Sequence, residues 1–126
     1  MQVLSMPNWY TIKTPTAAAV QAAADGAVVA ATEVLIYKEI GDDWWSSDPI
    51  TAARFREDIT AIQTPEITVR ILSAGGSVPD GLGIYNALKN HPAKVTTIND
   101  DLATSVASTI FMAGDVRIAA SNSLMM

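Results

Sequence analysis

The spacing of hydrophobic positions changes several times along the 126 residues. In "EVLIYKE" (33–39), Val34, Leu35, Ile36 and Tyr37 form a nearly continuous apolar run. Such a run predicts a strand buried on both faces. Ile50, Phe55, Ile59 and Ile62 then follow helical spacing, with Arg54, Arg56, Glu57 and Asp58 outward. Asp48-Pro49 supplies the start of that helix, since Asp is a good N-cap and Pro suits the first helical position. "ITVRIL" (67–72) predicts the next strand and "SAGGS" a tight turn. A second helix runs from about Pro79 to Lys89, with Leu82, Tyr85 and Leu88 on one face; His91-Pro92 ends it. "KVTTIN" (94–99) is a third strand. A third helix starts near Ala103 and ends at Ala113-Gly114, and "VRIAA" (116–120) is a fourth strand.

Ahead of this alternation, "NWYTIK" (8–13) predicts a short strand. Residues 17–31 are alanine-rich and broken by an Asp25-Gly26 turn. Their first half has helix propensity, and two short edge strands are the alternative. Strand and helix alternating from residue 33 onward predict an α/β fold with right-handed crossovers.

Composition narrows the function classes. Hydrophobic residues make up 49% of the chain, enough for a core, while charged residues make up only 17%. That charge content is low for a small solvated monomer, and hints at surface buried against another subunit or against further sequence. A net charge of -5 argues against nucleic-acid or acidic-membrane partners. With no cysteine and one histidine, neither a thiolate nor a histidine-based metal site is expected, and no cofactor is implied. The N-terminus lacks the pattern of a signal peptide, and no uncharged apolar run reaches ~18 residues. A cytoplasmic location is the default expectation.

The candidate chemistry lies at two strand ends. Gly75-Gly76 follows strand 67–72, and Ser105 lies just past strand 94–99. In an α/β sheet both positions belong to the carboxyl edge, where ligands bind. Adjacent glycines let backbone N–H groups approach a ligand closely. A helix start near Ala103 offers further unpaired N–H groups and a positive dipole end. Two such donors aimed at one point make an oxyanion hole. The small residues Ala103, Thr104, Ala107 and Ser108 fit close backbone approach and tight helix packing equally well. Taken alone, Ser105 is either a helix cap or a nucleophile. Ser77 and Asp80 read as a capping pair. Asp42, Asp43 and Asp48 read as a solvated loop, with a metal site as the alternative. Trp44 and Trp45, adjacent on that loop, could be core anchors, a lid or a contact surface; the last is favoured.

From residue 33 to residue 126 the chain resembles the ClpP-type serine peptidases, above all their phage relatives, the prohead (capsid maturation) proteases. Gly75-Gly76-Ser77-Val78 is similar to the family's glycine turn, and "DDLATSVAS" (100–108) to its nucleophile turn. Gly76 and Ser105 are 29 positions apart, the family's spacing, and "GIYNAL" between them matches too. The resemblance implies a ClpP/crotonase-like spiral of β-α-β units, incomplete at its C-terminus, with residues 1–32 as a lead-in carrying short strands. It implies that Ser105 is the nucleophile and that the N–H groups of Gly76 and Val106 form the oxyanion hole. Gly75, Gly76, Ser77 and Val78 would hold an extended protein or peptide substrate by β-augmentation. A homo-oligomeric ring in the full-length form, and a bacterial or prophage source, are implied likewise. The chain departs from the family pattern at Leu72 and Ala74, usually Asn and Pro, at Asp101, usually Gly, and at Thr104, usually Ala. An ionised Asp101 near an oxyanion hole would oppose the charge that develops there.

The resemblance also implies a catalytic His about two residues after a strand similar to "NSLMM" (122–126), and an Asp further on. This chain is therefore expected to hold the nucleophile without its base, and to be inactive by itself. His91 does not substitute. It closes the helix after the glycine turn, roughly 15–18 Å from that turn at about 1.5 Å per residue. Two other readings share the fold: a non-catalytic assembly or binding protein, and a crotonase-type enzyme that stabilises an enolate. The serine in "ATSVAS" speaks against the second.

Overall fold

A computed structural model of the chain describes residues 2–5, 9–26, 29–41 and 52–126. Its elements are β1 (Gln2–Ser5), β2 (Thr11–Thr14), α1 (Ala17–Ala24), β3 (Ala31–Ile36), α2 (Ala52–Thr60), β4 (Glu66–Ser73), α3 (Val78–Lys89), β5 (Lys94–Ala103), α4 (Val106–Phe111), β6 (Val116–Ala119) and β7 (Leu124–Met125). They build one mixed sheet in the order β1-β2-β3-β4-β5-β6. β1 through β3 pair antiparallel, and β3 through β6 pair parallel. β7 pairs parallel with the last two residues of β5, beyond the stretch that β6 covers.

The parallel strands follow one another in sequence order, and α2 packs on α3 and α3 on α4. The three helices therefore share one face of the sheet. This explains the strict alternation in β4, where Ile67, Val69, Ile71 and Ser73 are buried and Glu66, Thr68, Arg70 and Leu72 are not. β3 alternates in the same way, with Thr32, Val34 and Ile36 inward and Leu35 half-buried. The apolar run at 34–37 is thus covered on one face only, contrary to the expectation of a doubly buried strand. A fully buried aliphatic side chain contributes about 1.5–3 kcal/mol. Burial of Ile67, Val69 and Ile71 therefore outweighs a partly exposed pair such as Arg54–Asp58, worth roughly 0–1 kcal/mol.

Phe55, Ile59 and Ile62 of the α2 region are buried as their spacing predicts. Asp58 does not face out: it accepts a hydrogen bond from Tyr10 Oη at 2.5 Å and pairs with Arg54. Trp9 and Tyr10 pack on Phe55, with ring centroids 5.6 and 5.0 Å away, so the start of the chain joins the core. The alanine-rich segment forms α1 rather than two strands. Thr16 caps it by accepting from the Ala19 N–H, and Gly26 at φ 80° follows its end. On α3 the buried positions are Gly81, Ile84 and Leu88, while Leu82 is exposed. Asp42, Asp43, Trp44, Trp45 and the helix start at Asp48-Pro49 lie outside the described residues.

Candidate active site

The largest departure from the sequence pattern falls at the candidate nucleophile. β5 does not stop at Asn99 and no helix begins near Ala103; the strand runs to Ala103, and α4 starts at Val106. Between the pairs Ile71↔Asn99 and Ser73↔Ala103, β4 advances two residues and β5 advances four. Asp100, Asp101 and Leu102 are thus a bulge in β5, which bends the strand immediately before the turn. The chain then reverses at Thr104-Ser105 into α4.

Ser105 itself has φ 53° and ψ -134°, and it is the only non-glycine residue with positive φ among the described residues. L-residues reach this region at a cost of roughly 1–3 kcal/mol, and such strain gathers at functional sites. Ser105 occupies the N-cap position of α4, but its side chain makes no capping hydrogen bond. Its hydroxyl stands on an exposed strand-to-helix turn, the geometry of a nucleophile elbow. The turn is held through its backbone. Thr104 N–H donates to Ser73 O (3.2 Å), Ser105 N–H to Met126 O (2.8 Å), and Ser108 Oγ to Ser105 O (2.6 Å).

The glycine turn backs directly on this elbow. A Cβ on Gly75 would lie 2.7 Å from Ser105 Cβ, 2.9 Å from Thr104 O and 3.2 Å from Ser105 Oγ. Gly75 takes φ 101° and Gly76 φ 147°, so the turn needs glycine for conformation as well as for space. Ser73, buried at the end of β4, ties the turn down. Its Oγ donates to Lys38 O (2.7 Å) and accepts from Gly75 N–H (3.1 Å). Ile40 N–H donates to Gly75 O and Ser77 N–H to Ile40 O, so one edge of Gly75–Ser77 is already strand-paired. The N–H groups of Gly76 and Val106 have no hydrogen-bond acceptor among the described residues. Ser77 caps α3 by accepting from Asp80 N–H at 3.3 Å, as its spacing predicts. Val78 already lies in the first turn of α3, which leaves Gly75–Ser77 as the extended stretch. Gly81 presses α3 onto α4: a Cβ there would come within 2.2 Å of Val106 Cγ2.

The open face of the sheet carries the charge next to this turn. Arg70 on β4 pairs with Glu33 Oε2 on β3 (3.2 Å) and with Asp100 Oδ1 in the bulge (2.8 Å). Tyr37 Oη donates to the other oxygen of Asp100 at 2.6 Å. Partial burial of the Tyr37 ring, then its bond to Asp100, push the phenol up to about 12. Desolvation opposes the Arg70 charge, yet the bond to Glu33 and the proximity of Asp100 leave its pKa raised. Asp101 is exposed, so water screens its charge. Nothing in the local spacing of the sequence singled out Arg70, Tyr37 or Glu33.

His91 sits beyond the far end of α3, about 18 Å along the helix from Ser77. Its Nδ1 accepts from Ala93 N–H (3.0 Å), which leaves the proton on Nε2, 3.2 Å from Ile62 O. Both ring nitrogens are thus occupied in tying two loops together. A cavity of about 580 Å³ between α2 and α3, lined by Arg56, Thr60, Asn86 and His91 among others, is likewise remote from Ser105. Among the described residues, no helix is long and apolar enough to cross a membrane.

The chain matches the Clp protease family over residues 19–126. It belongs to the Clp protease family. Two solved structures of ClpP1 from Listeria monocytogenes are similar to it, one of them a point mutant, each with 26% identity and a TM-score of 0.61. They cover 74% and 75% of this chain, which spans 53% and 54% of their length. A search of curated proteins found no match. The mixed sheet with helices along one face is thus the fold of Clp protease relatives, as the resemblance implied.

Proposed function

We propose that this member of the Clp protease family carries the nucleophile and the oxyanion donors of a serine endopeptidase, of the phage prohead class within it. The observation that carries the reading is the backbone of Ser105, strained, uncapped and set against the glycine turn. In the proposed reaction Ser105 Oγ attacks the scissile carbonyl and gives up its proton to a general base. The developing oxyanion takes hydrogen bonds from Gly76 and Val106 N–H, two donors without acceptors among the described residues. Loss of one such donor costs on the order of 10²–10³ in rate. The base then protonates the leaving amine, and water releases the acyl group from Ser105. Neither metal nor cofactor takes part.

The substrate would lie extended along Gly75, Gly76 and Ser77, opposite the edge that Ile40 occupies, with the exposed Val78 beside it. We place residues 33–126 in the peptidase domain and residues 1–32 as its lead-in. The base is proposed to come from residues that follow Met126, whose carbonyl already bonds Ser105 N–H. The 126 residues alone are then inactive, and the complete protein acts as a ring of identical subunits on protein substrates. Hydrolysis of a fluorogenic peptide library tests this. A chain lengthened through the next encoded histidine should cleave, its Ser105→Ala variant should not, and neither should the 126-residue chain. A lengthened chain that assembles but never cleaves would favour a binding or assembly protein.

A further inference from the structure

We propose that Asp100 is a positioning residue for the nucleophile turn: its carboxylate, held by Arg70 from β4 and by Tyr37 just past the end of β3, fixes the β5 bulge that aims Ser105 at the glycine turn. The consequence for reactivity rests on the proposed role of Ser105; the placement itself does not.

A bulge interrupts the backbone ladder, so β4 pairing cannot by itself set where Asp100–Leu102 lie. Asp100 opens the bulge, and each of its two carboxylate oxygens has its own partner. Arg70 is in turn steadied through its Nε by Glu33. One carboxylate is thus tied to β4 and to the residue that follows β3, five residues before Ser105. Further along, the two amides of the turn have one bond each, Thr104 N–H to Ser73 O and Ser105 N–H to Met126 O. A strained residue persists only where its surroundings over-determine it. The Asp100 anchor supplies that constraint on the strand side of the elbow, as α4 packing supplies it on the helix side. It also sets the charge: Arg70 offsets one of the two adjacent aspartates in a turn where negative charge must develop. Partly exposed ion pairs add little to global stability, so the effect of losing this one is local.

Amide hydrogen exchange on the 126-residue chain tests the placement without any chemistry. Asp100→Asn and Arg70→Gln should each raise exchange at Thr104 and Ser105 about tenfold, while the Val69 amide in the sheet centre stays unchanged. The double variant should add little, because both substitutions cut the same contact. Tyr37→Phe removes one anchor without altering charge and should give a smaller rise at the same two amides. In the lengthened chain, the fluorophosphonate labelling rate should fall in the same order of variants. Unchanged exchange at Thr104 and Ser105, or effects that simply add, would overturn the proposal. Raised exchange in a lengthened chain that never labels would support the positioning and sink the nucleophile reading.

Discussion

Replacing Ser105 separates strain from chemistry. Ser105 is exposed, its hydroxyl makes no capping bond, and its N–H and C=O bonds to Met126 and Ser108 are backbone features that any residue keeps. Ser105→Ala therefore removes the hydroxyl, the proposed nucleophile, but retains a Cβ at φ 53°, and stability should change little. Ser105→Gly removes the hydroxyl and the Cβ, and so releases about 1–3 kcal/mol of strain. Against this stands the greater conformational freedom of glycine in the unfolded chain, roughly 0.5–1 kcal/mol. The net spans about 0–2.5 kcal/mol, centred on a gain of about 1 kcal/mol for Gly over Ala. For a chain of this size that is a rise of several degrees in Tm, taking roughly 4 °C per kcal/mol. Urea denaturation of the wild type and both variants under one buffer measures it, with m-values compared to guard against a changed unfolded state. A Gly variant no more stable than the Ala variant would refute the claim that the elbow is strained.

Other perturbations report on the glycine turn and on the network beside it. Gly75→Ala forces a Cβ to within 2.7 Å of Ser105 Cβ at φ 101°. Overpacking and strain together should cost about 2–5 kcal/mol, read as a lowered denaturation midpoint with the chain still folded. Tyr37 should titrate near pH 12, seen as the phenolate absorbance missing from Tyr37→Phe. Because the folded state holds this proton more tightly than the unfolded state, its contribution to stability is whole below about pH 10 and is lost as pH rises from there through 12. Asp100→Asn should move the Tyr37 midpoint part of the way back, since burial remains when the carboxylate charge is gone.

The alternation of β4 and the helical spacing of Phe55, Ile59 and Ile62 are properties of single segments, and the pattern of apolar residues reports them directly. The bulge is different. Asp100 and Asp101 are poor strand formers, so "NDDLA" reads as the end of a strand. What keeps it in the sheet is tertiary: β4 and β7 pairing at Ala103, and the side chains of Arg70 and Tyr37 reaching across. Tyr37 and Asp100 are 63 positions apart, and no local period connects them. Spacing alone puts Leu82 on the buried face with Tyr85 and Leu88, whereas the structure buries Ile84 and exposes Leu82. The candidate site is legible because Gly75-Gly76 follows one strand and Ser105 another, at the edge where ligands bind in an α/β sheet. The conformation of Ser105 was not legible, since small neighbours suit a packed helix and a strained elbow alike.

Peptide mapping of a fluorophosphonate adduct tests the role of Ser105 most directly. In the chain lengthened through the next encoded histidine, the label should sit on Ser105 alone, vanish in Ser105→Ala, and form at no appreciable rate on the 126 residues by themselves. A label on another serine, or equal labelling of the Ala variant, would contradict the account.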